Sequence, residues 1–384
     1  MGTSPTPGDR DGSRDLDAAS SEPLHPAARA VLLDALDRGY ADPRRLHRQG
    51  RSARLLLDNA REVVAESLKV RPDEVSFTGS GTEAVHRGLL GLLQGAQRHG
   101  RAVVLPAVEH SAVRHALAWA QAETREVGVD AVGRVDPASM RAAAAAGPPA
   151  VVAAVQAANH EVGTVQPVAE VVEAVGLPVF MDACAAAGRL PLPEGWTAAA
   201  ASAHKWGGPP GIGVLLVRKG ARWRQPFPGD DRVDERVAGF ENVPGALAAA
   251  AALQAVIAES TGTTARQHAL IARVREQIAA TVPDVEIVGD PEARLPHLVT
   301  FSCLYVDGEA LVTELDRHGL GVASGSACAA STLTPSHVLT AMGALTHGNV
   351  RLSLTRETTT ADVERFLAVL PGVVTELRAR VGMA

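Results

Sequence analysis

Two residues in this chain have the type and setting for covalent chemistry, Lys205 and Cys328. Lys205 follows the small-residue run Thr-Ala-Ala-Ala-Ala-Ser-Ala-His and precedes Gly207-Gly-Pro-Pro-Gly-Ile-Gly213. A lysine at a strand end among apolar neighbours loses solvation, which favours the neutral amine that attacks a carbonyl. The glycines permit a turning backbone packed closely around a bound ring. Only three of the 37 basic residues are lysine, and Lys69 and Lys219 have the look of solvated surface charges. Cys328 lies in Ala323-Ser-Gly-Ser-Ala-Cys-Ala-Ala-Ser331, with no apolar bulk to bury it. That setting predicts an accessible thiol on a loop able to enter and leave a site. Cys303, inside Thr-Phe-Ser-Cys-Leu, reads as a small buried hydrophobe instead.

Other polar residues are expected to gather around Lys205. Thr78-Gly-Ser-Gly-Thr-Glu-Ala84 follows an apolar run and opens a helical one, so Ser80, Gly81 and Thr82 could cradle an anion on free helix amides. A capped helix with a tight turn is the plainer reading of the same residues, at even odds. Asp182 ends the run Leu-Pro-Val-Phe-Met, where a carboxylate must cap, pair or work. Capping is its commoner fate, whereas facing a pyridine nitrogen would keep that nitrogen protonated. His110, Asn159, His160, Ser202 and His204 fall at the ends of similar runs. Arg351 alternates with Val350, Leu352 and Leu354, on the polar face of a strand. Its guanidinium suits a carboxylate, and a surface arginine is the ordinary alternative.

These positions require an α/β fold. Apolar strands are predicted at 74–78, 102–105, 150–155, 179–182, 198–202 and 213–217, alternating with helices, and runs without strong alternation fit strands covered on both faces. Ligands of open sheets sit beyond the carboxyl ends of the strands, where the polar residues converge. Helices are predicted at 26–38, 52–70, 246–260, 264–281 and 308–318, with further strands at 285–288, 297–301 and 350–354 and a final helix. The organisation read from this is a disordered tail over 1–14, a segment 15–25 joining a small domain, a large domain over 26–244 and a small C-terminal α+β domain over 245–384. A net charge of −6 gives no footprint for nucleic acid or anionic membranes, and no uninterrupted apolar run of bilayer length is present. Three sparse cysteines without metal-ligand spacing fit a reducing compartment, so a cytoplasmic location and no metal are expected.

Together the segments resemble the cysteine desulfurases, fold type I enzymes of the class V aminotransferase group. The likeness runs from Leu16-Asp-Ala-Ala nearly to the end. It passes through Pro43-Arg-Arg-Leu-His-Arg-Gln-Gly, Val108-Glu-His-Ser, Asn159-His-Glu-Val-Gly-Thr-Val-Gln-Pro, the Lys205 segment, Ser-Gly-Ser-Ala-Cys328 and Pro335-Ser-His-Val-Leu. The resemblance implies a mostly parallel, seven-stranded type of large domain and pyridoxal 5'-phosphate as cofactor. Lys205 would bind the cofactor covalently, Asp182 would contact its ring nitrogen, and His110 would stack on the ring and move protons. Ser80, Gly81, Thr82, Ser202 and His204 would surround the phosphate, with Arg351 and Asn159 on the substrate. L-cysteine would leave as L-alanine, its sulfur carried as a Cys328 persulfide to an acceptor protein or small molecule, from a homodimer.

Four positions depart from the family pattern. His160 replaces a second asparagine, Ala185 a glutamine beside the ring, Phe240 a threonine that reaches a phosphate across the dimer, and Val237 an arginine. His160 is the natural candidate for a replacement donor to the ring oxygen. Two other readings remain open, a selenocysteine or cystine lyase of the same family and a degenerate partner without turnover.

Overall fold

The computed structural model describes residues 14–324 and 335–383. Cys328 and thirteen of the fourteen expected tail residues lie outside the described residues. Arg14 does not: it pairs with Leu320 in a short parallel bridge, and its Nε donates to Asp362 at 2.5 Å.

The first part of the chain runs β1 (Arg14–Asp15), α1 (Pro26–Asp37), α2 (Arg48–Leu68), β2 (Val75–Thr78), α3 (Gly81–Ala96), β3 (Ala102–Pro106) and α4 (Ser111–Trp119). It continues through β4 (Glu123–Val127), α5 (Pro137–Ala145), β5 (Val152–Gln156), α6 (Val168–Val175), β6 (Val179–Asp182), β7 (Ala198–Ser202) and β8 (Gly213–Val217). Strands β2 to β8 form one sheet in the order β2-β8-β7-β6-β5-β3-β4, and only β8 runs antiparallel to its neighbours. Every residue of β3, β5, β6, β7 and β8 is buried. Successive side chains point to opposite faces. Ala153, Val155, Met181 and Ala199 therefore pack with α2, α5 and α6, while Val152, Ala154, Phe180 and Ala198 pack with α3 and α4. Strand β4 was not anticipated. Its sequence, Glu-Thr-Arg-Glu-Val, is polar because it is the sheet's edge and pairs only with β3.

The remaining elements are α7 (Val243–Thr281), β9 (Val285–Val288), β10 (Leu298–Cys303), α8 (Gly308–Arg317), β11 (Leu320–Gly321), α9 (His337–Met342), β12 (Asn349–Ser353) and α10 (Thr360–Arg380). β12-β10-β9 form a three-stranded antiparallel sheet, packed on α8, α10 and the second half of α7, with Leu16 in the same cluster. Two helices were expected where α7 is a single one of 39 residues. The Ser-Thr-Gly-Thr-Thr stretch around Gly262 weakens helix propensity by about 1 kcal/mol at the glycine, and packing of both halves outweighs it. By length and composition α7 has an apolar window able to cross a bilayer. Half of that window is buried in the protein, against α1 and α2 among others.

Candidate active site

A cavity of about 250 Å³ opens at the carboxyl ends of β5, β6 and β7 and collects most of the expected residues. One end of it is built by the turn after β2. Thr78 Oγ1 donates to the Ser80 carbonyl at 2.8 Å, and Ser80 Oγ caps α3 by accepting from the Glu83 amide at 3.0 Å. The Glu83 carboxylate reaches back to the Gly79 amide at 2.8 Å. Gly81 and Thr82 open the first turn, where amides have no intrahelical acceptors, and both line the cavity. A Cβ on Gly81 would stand 2.6 Å from the Ser202 Cβ, and one on Gly213 would stand 2.1 Å from the Ser80 carbonyl oxygen. Glycine at these two positions lets the turn lie directly on β7 and β8. Ser202 Oγ is 3.1 Å from His204 Nδ1, and both residues line the cavity.

Asp182 does two jobs. Its Oδ1 accepts from the Cys184 amide at 2.9 Å, which closes the turn after β6 where no helix starts, and the residue also lines the cavity while almost fully buried. Lys205 closes the single 3-10 turn Ala203–Lys205 after β7. Its half-buried amine donates to the Ala19 carbonyl and, at 3.1 Å, to the Ser20 carbonyl.

His110 caps α4, its Nδ1 accepting from the Ala112 amide at 3.1 Å. The His160 ring meets it edge to face, with centroids 4.6 Å apart. Burial holds both imidazoles below the usual histidine range, His160 far below it. At His110 the Asp182 charge works in the opposite direction, and at His160 the positive charges of Arg351 and Lys205 add to burial. His160 Nδ1 is buried without a partner among the described residues.

Arg351 is a buried arginine, not a surface one. Nη1 donates to the His160 carbonyl at 3.1 Å, and Nη2 donates to Asp17 at 2.9 Å and Ser20 Oγ at 2.7 Å. Its Nε is buried without a partner among the described residues. Asn159 corrects an expectation. It does not line the cavity: it is fully buried, Oδ1 accepts from the Glu161 and Val162 amides at 2.8 Å each, and Nδ2 donates to the Val108 carbonyl. With its amide group consumed in a turn, it shapes the loop that presents His160.

Ser20, Gln156, Glu161 and Cys184 also line the cavity and were not singled out. Glu161 lies in the segment that begins at Asn159, and Cys184 two residues after Asp182, but nothing in the sequence marks either as facing the cavity. Burial pushes the Glu161 carboxyl up to about 7. Its Oε2 accepts from Ser336 Oγ at 2.9 Å, and Oε1 is buried without a partner among the described residues. Burial, with the Asp182 charge, pushes the Cys184 thiol well above its usual range, so it stays protonated and unreactive at neutral pH. Val237 and Phe240 line a separate cavity behind Gly79 and Glu83. Phe240 is exposed there, beneath the Arg232 guanidinium at 5.2 Å.

The family model for aminotransferase class V matches residues 16–366. An IscS-like cysteine desulfurase of Mycobacterium tuberculosis is 36% identical, over 94% of this chain and 96% of its own. A cysteine desulfurase of Cereibacter sphaeroides is 35% identical, over 95% and 96%. A solved NifS-like protein superposes with a TM-score of 0.86 at 26% identity, covering 94% of this chain and 99% of that one. Strand order, cavity and full-length similarity agree: the chain belongs to the class V aminotransferase family and, within it, to the cysteine desulfurases.

Proposed function

We propose that the protein binds pyridoxal 5'-phosphate in the Lys205 cavity and converts L-cysteine to L-alanine, with Cys328 collecting the sulfur as a persulfide for an acceptor protein or small molecule. The observation that carries the reading is the convergence of Lys205, Asp182, His110, Arg351 and the Ser80–Thr82 turn on one cavity. The donor set fits the cofactor. First-turn amides at Gly81 and Thr82, with Ser202, suit a phosphate, and a buried carboxylate at Asp182 suits a protonated ring nitrogen.

When bound, the cofactor supplies an electron sink that acidifies the substrate's α-proton. Lys205 would hold it through its side-chain amine, and that amine, when free, is the base placed for the proton. His110 is neutral because it is buried, so it can accept a proton from the substrate thiol. Arg351, which lines the cavity, receives the substrate carboxylate on its guanidinium. The Cys328 thiolate attacks the substrate sulfur; as the sulfur–sulfur bond forms the bond from sulfur to Cβ breaks, and its electron pair stays on that carbon, which takes up a proton on the way to alanine. His160, which stands where the family has an asparagine, would be the replacement donor to the ring oxygen for the glutamine lost at Ala185. The same reading carries a homodimer and a reducing, cytoplasmic setting, in keeping with free thiols at Cys184 and Cys303. Incubation with L-cysteine tests it. Alanine release with a persulfide mass on the Cys328 peptide, abolished in Cys328→Ala, is the expected outcome, and undiminished alanine release by that variant contradicts it.

A further inference from the structure

Glu109 is wholly buried beside His110 and is not part of the cavity lining. Its Oε1 accepts from the Gln156 amide at 2.7 Å, and Gln156 pairs with Asp182 across β5 and β6. Its Oε2 has no partner, so a single N–H is the hydrogen bond this carboxyl receives among the described residues. A carboxylate buried with one donor and no ion-pair partner among the described residues is costly, and the neutral acid is far less so. The same residue is a junction. Its carbonyl meets His337 Nε2 at 2.9 Å, and the Gln156 side chain donates to the adjacent Val108 carbonyl at 2.7 Å.

We propose that Glu109 is a positioning residue held as an uncharged carboxylic acid, clamping the loop that carries His110 to the strand end beside Asp182, so that the negative charge at the end of β6 rests on Asp182. The charged and titratable groups facing it are Asp182 from β6, Arg114 from α4, the adjacent His110 and His337 from α9. Burial pushes the Glu109 carboxyl up to about 8, with Asp182 adding to the rise and the Gln156 amide and Arg114 opposing it. Burial also holds His110 and His337 low, so neither supplies a cation. Arg114 is paired with Glu126 at 2.9 Å. The protonation does not depend on the cofactor reading; its effect on the site does.

Glu109→Gln keeps the acceptor and removes the ionisation, and Glu109→Ala removes both. The experiment is the unfolding midpoint of the full chain without added cofactor, from about pH 5 to pH 9. An acid with a raised folded pKa contributes stability that is full below its unfolded pKa and is lost as pH rises through the folded one. The gap in favour of Glu109→Gln therefore widens from about pH 5 to about pH 8 and then stays level, while Glu109→Ala is less stable than Glu109→Gln throughout. A gap that is constant with pH, or that narrows, overturns the proposal. Should Glu109→Gln not fold, infrared spectra in a Glu161→Gln background decide it. A protonated-carboxyl band at pH 7 that fades by pH 9 supports the assignment, and no such band at pH 7 overturns it. With cofactor added, Glu109→Gln lowers the alkaline midpoint of the visible absorbance, because wild type gains a negative charge near the site above about pH 8. A widening gap in protein that never absorbs in the visible sustains Glu109 as a neutral acid and removes the cofactor reading alone.

Discussion

Arg351 shows what a residue's type leaves undecided. Alternation placed it on a strand's polar face, yet that face is buried against Asp17, Ser20 and the His160 carbonyl. Replacing it with alanine removes a charge-assisted donor worth about 1.5–3 kcal/mol, so kcat/KM for L-cysteine is expected to fall roughly 10- to 150-fold while bound cofactor absorbance persists. An unchanged KM would remove Arg351 from substrate binding. For His160→Ala the expectation is a weaker cofactor complex, by about 1 kcal/mol or fivefold, with a shifted absorbance maximum; normal affinity and spectrum contradict its role as a donor to the ring. Lys205, Asp182 and the Ser80–Thr82 turn were legible in the sequence because apolar runs fix where strands stop. Asn159 and Glu109 were not. Which of two adjacent polar residues spends its side chain on a turn, and whether Glu109 is buried, depend on contacts such as Glu109 to Gln156, 47 residues apart in sequence.

At the scale of elements, the contact of the β2–α3 turn with β7 and β8 is the tightest constraint on the site. Gly213→Ala places a methyl 2.1 Å from the Ser80 carbonyl oxygen. Overpacking of this kind costs about 1–3 kcal/mol, so both the melting temperature and cofactor affinity are expected to drop, and an unaltered melting temperature contradicts the packing described. Gly262 is the opposite case, with nothing within 4 Å of an added Cβ in mid-α7. Gly262→Ala is expected to stabilise the protein by about 0.5–1 kcal/mol; a lower melting temperature would mean that α7 needs a break there. Apolar strands and amphipathic helices could be read from the sequence to within a few residues. The polar edge strand β4 and the continuity of α7 could not, because a neighbour's hydrogen bonds and two separate packing surfaces decide them.

For the molecule as a whole, buried titratable groups set the response to pH. Glu109 and Glu161 have folded pKa values raised to about 8 and about 7, so their contribution is full below the unfolded carboxylate range and is lost as pH rises toward those values. Burial holds His160 and His297 far below the usual histidine range, so their contribution is present above about pH 6.5 and is lost as pH falls. Stability of the cofactor-free chain should therefore peak at mildly acidic pH and decline on both sides; a curve still rising from pH 6 to pH 9 contradicts this. Because the chain has only three lysines, its covalent chemistry can be tested unambiguously. Protein loaded with pyridoxal 5'-phosphate, reduced with borohydride and digested should carry the pyridoxyl mass on the Lys205 peptide. A label on Lys69 or Lys219, or none in protein that retains the cofactor, contradicts the account.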